Sequence, residues 1–313
     1  MTREIEKLNG KAIVKSVLRR SLYPRHLYQL LKLHRNKAAT ARAYDDPQLK
    51  LYGQVFLGDF LNYGHFDDPD LQPRAMSLND IYRAQARNAE LIVELITDRS
   101  SPVLDVGSGM GGLVRLMLNQ GLNPVALSPD RNQIEHLRSK YPQLAVLQSK
   151  FEDIPLEGNL HRYGTIITSE SLQFLNLRLA LPLMAKLLKP GGRWIACDCF
   201  RTGEERHRSS GHVWSDFERQ VLASGWTFAF RADHTPNVMP TLRFVHMWGN
   251  DIALPAVRFG FEKFRTKQPL LHYIFEEIIA AMNKKIHKNL DLMAPQTYSL
   301  YTRYMLLAME RTG

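Results

Sequence analysis

The chain of 313 residues has only two cysteines, Cys197 and Cys199, and they alternate within one predicted strand. A disulfide between two such neighbours is sterically disfavoured, so we expect a reduced, cytoplasmic setting. No stretch reaches the roughly 18 consecutive apolar residues that a membrane-spanning helix requires. The first residues, MTREIEKLNGK, lack an apolar signal region, and we therefore do not expect secretion.

Acidic residues are absent from one long stretch. Between Lys11 and Arg42 there are nine Lys and Arg residues and no Asp or Glu, and the whole chain has a net charge of +10. Apolar residues recur in this stretch at helical spacing, which predicts amphipathic helices. Two interpretations stay open. The helices pack on a core and turn a solvated basic face outward, or the face attracts an anionic membrane surface or an acidic carrier protein.

Nucleic acid is not an expected partner. No zinc-binding spacing and no aromatic–basic RNA motif accompanies the positive charge. The sequence also shows no metal-ligand spacing, so no metal is predicted. Assembly into a homo-oligomer is left open by the sequence.

After Pro102 the sequence alternates between short apolar runs and amphipathic stretches. Such alternation predicts an α/β fold with a Rossmann-like, seven-stranded sheet covered by helices on both faces. We predict four parts: an N-terminal helical segment at 1–98 that contributes to a lid, a core at 99–234, a helical substrate cap at 235–296 and a final strand at 297–313. The predicted strands are VLDVG, PVALS, LAVLQ, YGTIITS, RWIACDCF, GWTFAFRAD and, near the end, TYSLYTRYMLLAME.

The stretch VLDVGSGMGG is a glycine-rich turn of the kind that holds a nucleotide-like cofactor. Gly107, Gly109 and Gly112 fit the dinucleotide pattern G-x-G-x-x-G, but Asp105 stands just before the turn. A carboxylate there would repel a pyrophosphate at the same helix N-terminus. S-adenosylmethionine has an ammonium group, a sulfonium centre and no phosphate. The sequence therefore favours S-adenosylmethionine over NAD.

Three motifs in the expected order resemble the class I S-adenosylmethionine-dependent methyltransferases, over about residues 91–230. VLDVGSGMGG resembles their first motif, YGTIITSESLQFL their fourth-strand motif, and LLKPGGRWIACDCF their turn into strand five. LNYGHF, residues 61–66, is similar to a segment of tocopherol, sterol, cyclopropane-fatty-acid and terpene C-methylating enzymes. The resemblance implies a methyltransferase of the small-molecule or lipid type, with methylation of carbon favoured over oxygen or nitrogen.

The same resemblance implies how the cofactor is held. An aromatic residue followed by glycine closes over its methionine end, and acidic residues at 152 and 153 lie near its adenine. No acid stands at the end of PVALS, so the ribose contact falls to Ser128, Asp130 or Gln133. The expected cofactor-binding residues are Tyr63, Gly64, Asp105, Gly107, Ser108, Gly109, Gly111, Ser128, Asp130, Gln133, Phe151, Glu152 and Ser169.

Methyl transfer requires in-line positioning of the acceptor and, for some acceptors, a general base. Glu170 follows strand four at the carboxyl edge and is the preferred candidate; the alternative is a carboxylate that binds cofactor or backbone without catalysis. His65 and Tyr63 complete the catalytic candidates, and Asp233 with His234 follows strand six. The acceptor is expected to be small and largely apolar, because the segment 235–296 is rich in aromatic residues, Met and Pro.

Two other functions stay open. An NAD-dependent oxidoreductase would need nicotinamide binding despite Asp105, and its Tyr-x-x-x-Lys or His-based catalytic set is not found. A non-catalytic protein that binds S-adenosylmethionine would keep the same glycine turn.

Overall fold

The computed structural model describes residues 59–203, 211–292 and 294–312, together with 18, 19, 23–25, 28 and 32. Nearly all of the basic stretch from Lys11 to Arg42 lies outside the described residues, so its predicted helices stay predictions. The chain divides into two compact units, which are Met1–Asp45 with Asn250–Lys288 and Asp46–Gly249 with Asn289–Gly313. Among the helices that the structure describes, none is long and apolar enough to cross a membrane.

The second unit is built on a seven-stranded sheet with the order β3-β2-β1-β4-β5-β7-β6. β1 to β5 pair in parallel, whereas β7 is antiparallel to both β5 and β6. The predicted α/β fold is thus confirmed. The strands are β1 Val103–Val106, β2 Pro124–Ser128, β3 Ala145–Gln148, β4 Tyr163–Ser169, β5 Leu188–Arg201, β6 Trp226–Asp233 and β7 Thr302–Arg311.

Helices connect and cover these strands. In chain order they are α1 Leu78–Glu94, α2 Gly112–Asn119, α3 Arg131–Lys140, α4 Leu177–Leu187, α5 Trp214–Ala223, α6 Thr235–Trp248, α7 Leu254–Lys267, α8 Pro269–Leu292 and α9 Pro295–Tyr301. Short 3-10 helices lie at Pro73–Ala75, Phe151–Asp153 and Leu172–Phe174, and a π-helical segment lies at Gly249–Ala253. The last strand begins at 302 and not at 297, because TYSLY ends helix α9.

The apolar runs in the centre of the sheet form strands that are buried on both faces, as expected where helices cover a parallel sheet, whereas the outer strands β3 and β6 are largely exposed. All residues of β1 and β2 are buried. Alternate β1 side chains point to opposite faces: Leu104 and Val106 join one core cluster and Val103 joins another. The carboxyl ends of β1 and β4 lie side by side, since these strands pair in register. The loops that follow them therefore meet at one edge of the sheet, which is where ligands bind in such folds.

Candidate cofactor and catalytic site

The glycine turn joins β1 to α2 through backbone conformations that favour glycine. Gly107, Gly109 and Gly111 have φ angles of 78°, 56° and 89°. Space is also restricted, because a Cβ at position 107 would lie 2.6 Å from the Cβ of Ser171. Ser108 ties the turn to β2: its hydroxyl donates to the Asp105 carbonyl at 2.9 Å and accepts from the Leu127 N–H at 3.2 Å. The turn is thus fixed beside the loop after β4.

Asp105 is a buried carboxylic acid within β1, and its side chain is almost fully removed from solvent. Its Oδ2 atom has no hydrogen-bond partner among the described residues. Burial raises the pKa of Asp105 to about 7, because the charged form is desolvated. A buried polar atom without a partner is costly unless a ligand satisfies it. The site therefore fits a cofactor that brings a positively charged donor, such as the ammonium group of S-adenosylmethionine.

The three candidates for the ribose contact lie together at the end of β2. The Ser128 hydroxyl donates to Gln133 Oε1 at 2.6 Å, and Asp130 caps helix α3 by accepting from the Gln133 N–H at 2.9 Å. The Asp130 N–H in turn donates to the Ser128 hydroxyl at 3.0 Å. All three residues are buried. Asp130 therefore caps helix α3 through Oδ1, and its contact with the ribose stays a prediction.

The predicted adenine contacts lie in the 3-10 helix after β3. Phe151 packs within the large core cluster. Glu152 Oε1 accepts a hydrogen bond of 2.9 Å from the backbone N–H of Asn176, which is the N-cap residue of α4. Asp153 is exposed. Glu152 is therefore held at the start of α4, while Phe151 contributes its ring to the core.

The segment from Asp59 to Phe66 crosses the glycine turn. The Asp59 carbonyl accepts from the Gly112 N–H at 3.2 Å, and the Leu61 side chain lies so close to the turn that a Cβ at Gly109 would be 3.2 Å from its Cδ1. The carboxylate of Asp59 also forms an ion pair with Lys140 of α3. These contacts place the LNYGHF motif against the predicted cofactor site.

Helix α1 holds the middle of the same segment. Gln85 donates to the Asn62 carbonyl at 2.8 Å, and the Asn62 side chain accepts from the Gly64 N–H at 2.8 Å. Gly64 has a φ of 82°, and a Cβ there would lie 2.9 Å from the Cβ of Ala84. This close packing on α1 is by itself a sufficient reason for glycine at position 64. A contact between Gly64 and the cofactor stays a prediction.

Glu170 has a strained backbone, with a φ of 55° in the left-handed region. Its N–H donates to the Cys197 carbonyl at 2.9 Å, which fixes this conformation directly after the half-buried Ser169. The Tyr304 hydroxyl donates to Glu170 Oε1 at 2.6 Å. Burial and the nearby Cys197 and Glu170 raise the pKa of Tyr304, so the phenol stays a proton donor. A strained backbone and a charge-assisted hydrogen bond together point to a positioned carboxylate.

Tyr63 belongs to a cluster of aromatic rings that includes Tyr304, the partner of Glu170. Its ring lies 5.8 Å from the ring of Tyr304 and 5.9 Å from the ring of Tyr298, measured between centroids. The Thr241 hydroxyl of α6 donates to the Tyr63 carbonyl at 2.6 Å. The Tyr298 hydroxyl lies 3.0 Å from the Cys199 thiol. Three tyrosines from distant parts of the sequence thus form one packed cluster, in which Tyr298 and Tyr304 are buried and Tyr304 contacts Glu170.

His65 and His234 form a pair in the same region, with ring centroids 4.5 Å apart. Two hydrogen bonds between Phe66 and Asn237 join the LNYGHF segment to the start of α6, where His234 is the N-cap residue. The Nδ1 atoms of both histidines are buried and have no hydrogen-bond partner in the described part of the chain. Burial lowers the pKa of His65, and burial together with the nearby His65 lowers the pKa of His234 to about 4.

Sequence analysis missed two residues that lie close to Glu170. Tyr304 is 134 positions away along the chain, and no local pattern signals its contact with Glu170. Asp198 had a signal, because it is an acid inside an otherwise apolar strand. Oxygen and sulfur atoms of Glu170, Asp198 and Cys199 lie within 4.8 Å of one another. Asp198 accepts bonds from the N–H groups of Cys199 and Gln173, and we assign no metal to this group.

The strand order with an antiparallel β7 matches the fold of the class I S-adenosylmethionine-dependent methyltransferases. Residues 104–196 match the family model of a methyltransferase domain. The predicted resemblance is thereby confirmed for this domain.

One curated relative and two solved structures illustrate the likeness. An uncharacterized methyltransferase of Mycobacterium tuberculosis is 32% identical over 104 residues, which are 33% of this chain and 42% of that relative. The geranyl diphosphate C-methyltransferase of Streptomyces coelicolor A3(2) is 14% identical, with a TM-score of 0.60 over 86% of this chain and 94% of that one. The cyclopropane synthase MmaA2 of Mycobacterium tuberculosis is 17% identical, with a TM-score of 0.54 over 80% and 91%. At such identities the solved structures show the fold alone.

Proposed function

We propose that this protein transfers a methyl group from S-adenosylmethionine to a small, largely apolar acceptor. The observation that carries the proposal is Asp105, a buried carboxyl group with an unpartnered oxygen before a glycine turn, in a methyltransferase fold. A carboxylate in this place attracts an ammonium group and repels a phosphate. It therefore favours this cofactor over a dinucleotide.

The residues that would hold the cofactor lie at the carboxyl edge of the sheet or in the segment that packs against it. When bound, S-adenosylmethionine supplies a methyl group that its sulfonium centre has already activated. Asp105 binds the ammonium end, and Tyr63 and Gly64 close over it. Because it has no side chains at its glycine positions, the glycine turn would let the cofactor lie close to its backbone. Ser128, Asp130 and Gln133 offer polar atoms to the ribose, and Glu152 offers a carboxylate to the adenine amino group.

The His65–His234 pair is the base in this proposal. Asp67 lies 4.0 Å from His65 Nε2 and favours a proton there, which leaves Nδ1 as the proton acceptor. Because burial lowers the pKa of both histidines, both are neutral near neutral pH and can accept a proton. His65 Nδ1 takes the proton that the acceptor loses, and His234 keeps the imidazole in place. Glu170, held by Tyr304, positions the acceptor.

The acceptor is proposed to be apolar, and carbon is the favoured methylation site. Of the three tyrosines, the half-buried Tyr63 can present its ring to a ligand, since Tyr298 and Tyr304 are buried behind it, and contacts with such a ring each stabilise a nearby cation by about 0.5–2 kcal/mol. A carbon acceptor that becomes cationic during methylation would benefit from them. The solved neighbour from Streptomyces coelicolor is described as binding geranyl diphosphate, an apolar chain with a charged end. Residues 235–296 are proposed as the substrate cap.

The test is to incubate the protein with methyl-labelled S-adenosylmethionine and a cell extract that is then separated into lipid, water-soluble, protein and RNA fractions. We expect label in the organic-soluble fraction, and no label with the Asp105→Asn variant. Glu157→Gln, which changes an exposed acid, is the matched control and should keep the activity. Label confined to protein or RNA would overturn the acceptor class. Cofactor binding without label in any fraction would overturn methyl transfer and favour a binding role.

A further inference from the structure

The net charge of the protein lies in one of its two compact units. Residues 1–45 and 250–288 together contain 18 Lys and Arg residues and 7 Asp and Glu residues. The rest of the chain contains 23 Lys and Arg and 24 Asp and Glu. The sheet-bearing unit is therefore nearly neutral, although it accounts for most of the chain. A strongly basic unit attracts an anionic surface.

Helix α8 of the basic unit exposes large apolar side chains on one face. Leu270, Tyr273, Ile274, Ile278 and Met282 are each at least 49% exposed. They recur every three or four residues, which places them along one side of a helix. His272, Ile279 and Ile286 are only partly exposed and by helical spacing follow the opposite side, where the ring of His272 lies 6.1 Å from the ring of Phe264 of α7. The exposed apolar face is thus distinct from the face by which α8 packs within its unit.

The same helix becomes basic toward its C-terminal end. Lys284, Lys285 and Lys288 are exposed, and by helical spacing they continue the face of Leu270 and Ile274. Glu277 is the acid on this face, and Glu276 lies next to it. On α7 the exposed charged residues are mostly basic as well: Arg258, Lys263, Arg265 and Lys267, against Glu262. Apolar side chains with lysines at their border match the interface of an anionic bilayer, where lysine stems extend along apolar surface and their charges reach the headgroups.

We propose that the exposed face of α8 docks this protein on the surface of an anionic lipid bilayer. The apolar side chains enter the boundary between headgroups and acyl chains, and the lysines contact the headgroups. Nucleic acid matches the charge but offers no apolar layer for Ile274 and Ile278. The proposal concerns binding alone, so it fails or holds separately from methyl transfer.

The experiment uses the full chain and vesicles of equal parts phosphatidylglycerol and phosphatidylcholine, with pure phosphatidylcholine vesicles beside them. We expect co-sedimentation with the anionic vesicles only, weakened by salt as the Debye length falls from about 10 Å at 0.1 M to about 3 Å at 1 M. Replacing Ile274→Glu and Ile278→Glu together should abolish it. Leu179→Glu with Leu222→Glu, which changes two leucines of similar exposure in the other unit, should leave it intact. Lys284→Gln and Lys285→Gln should each weaken it roughly fivefold.

Amide hydrogen exchange on the unaltered protein gives a second measurement that needs no variant. Added anionic vesicles should slow exchange across residues 270–288. Equal binding to phosphatidylcholine, absence of vesicle binding, or binding that survives both glutamate substitutions would overturn the proposal. A concentration-dependent dimer that the glutamate variants abolish, without vesicle binding, would assign the face to a second copy of the chain.

Discussion

The two compact units of this protein differ in net charge and in how their exposed apolar side chains are arranged. The sheet-bearing unit has nearly balanced charges, and it buries the carboxyl groups of Asp105 and Asp198 inside the fold. The unit that contains α7 and α8 has an excess of positive charge and leaves Tyr273, Ile274 and Ile278 exposed. A buried acid with an unpartnered oxygen, as in Asp105, and a continuous exposed apolar face both cost free energy, and we propose a ligand for each.

The difference suggests a division of tasks. A cation fits the interior site around Asp105, whereas an anionic surface fits the exterior of the basic unit. If this division is correct, changes at the interior site alter cofactor binding and turnover without altering vesicle binding. Changes on α8 have the reverse effect.

Asp105→Asn should give the largest effect. The change keeps the shape of the side chain but removes the charge that would pair with the cofactor's ammonium group. Loss of one partner of a buried charge pair costs about 3–5 kcal/mol, so affinity for S-adenosylmethionine should fall several hundredfold or more in titration calorimetry. Vesicle binding should not change. Cofactor affinity within a few-fold of the unaltered protein would refute the role of Asp105, and Glu157→Gln serves as the control.

His65→Gln should lower the rate of methyl transfer about a hundredfold, because a positioned general base contributes at least that much. The measured quantity is turnover into the extract fraction that takes the label, with cofactor affinity determined in parallel and expected to be unchanged. His234→Gln should have a similar effect, and the double variant should be little worse than either single one, since the two rings act together. His161→Gln, at the opposite end of β4, is the control. Full activity in His65→Gln would remove it as the base.

Cofactor affinity should rise with pH by up to tenfold per unit between about pH 5 and pH 7. Burial raises the pKa of Asp105 to about 7, so at lower pH the group is protonated and must lose its proton before it can pair with a cation. Binding should therefore release a proton, which calorimetry in buffers of different ionisation enthalpy detects. Above about pH 8 affinity should fall again as the α-amino group of the cofactor loses its own proton. The rise below pH 7 should vanish in Asp105→Asn; if it persists there, another group controls it.

Much of the fold was predictable, because the strands and the glycine turn depend on local pattern. VLDV, PVALS and YGTIITS are apolar runs with turn signals at their ends, and each forms the predicted strand. The start of β7 was predicted too early, since TYSLY alternates like a strand but forms helix α9.

The candidate site was predictable only in part. Residues within one motif, such as Asp105 and Glu170, were found from sequence. Their partners were harder to find: Tyr304 reaches Glu170 only because β7 inserts between β5 and β6, and the contact between His65 and His234 depends on how α6 meets the LNYGHF segment. Contacts between distant parts of a chain leave no periodic signal in it. The excess of positive charge was visible in the sequence at Lys11–Arg42. The sequence did not show that α7 and α8 belong to the same basic unit, because these helices are more than 200 residues away along the chain.

Tyr304→Phe should give the smallest effect and is the sharpest test of Glu170. The ring stays in the core, but Glu170 Oε1 loses its donor, and a positioned carboxylate becomes less well oriented. Turnover should fall about five- to tenfold, in line with roughly 1 kcal/mol for a lost hydrogen bond, while the dissociation constant of the cofactor stays within about twofold. Tyr298→Phe is the matched control, because it removes a buried hydroxyl that lies 3.0 Å from the Cys199 thiol. The two variants should lose similar thermal stability. If turnover falls equally in both, Tyr304 contributes to packing alone and does not position Glu170.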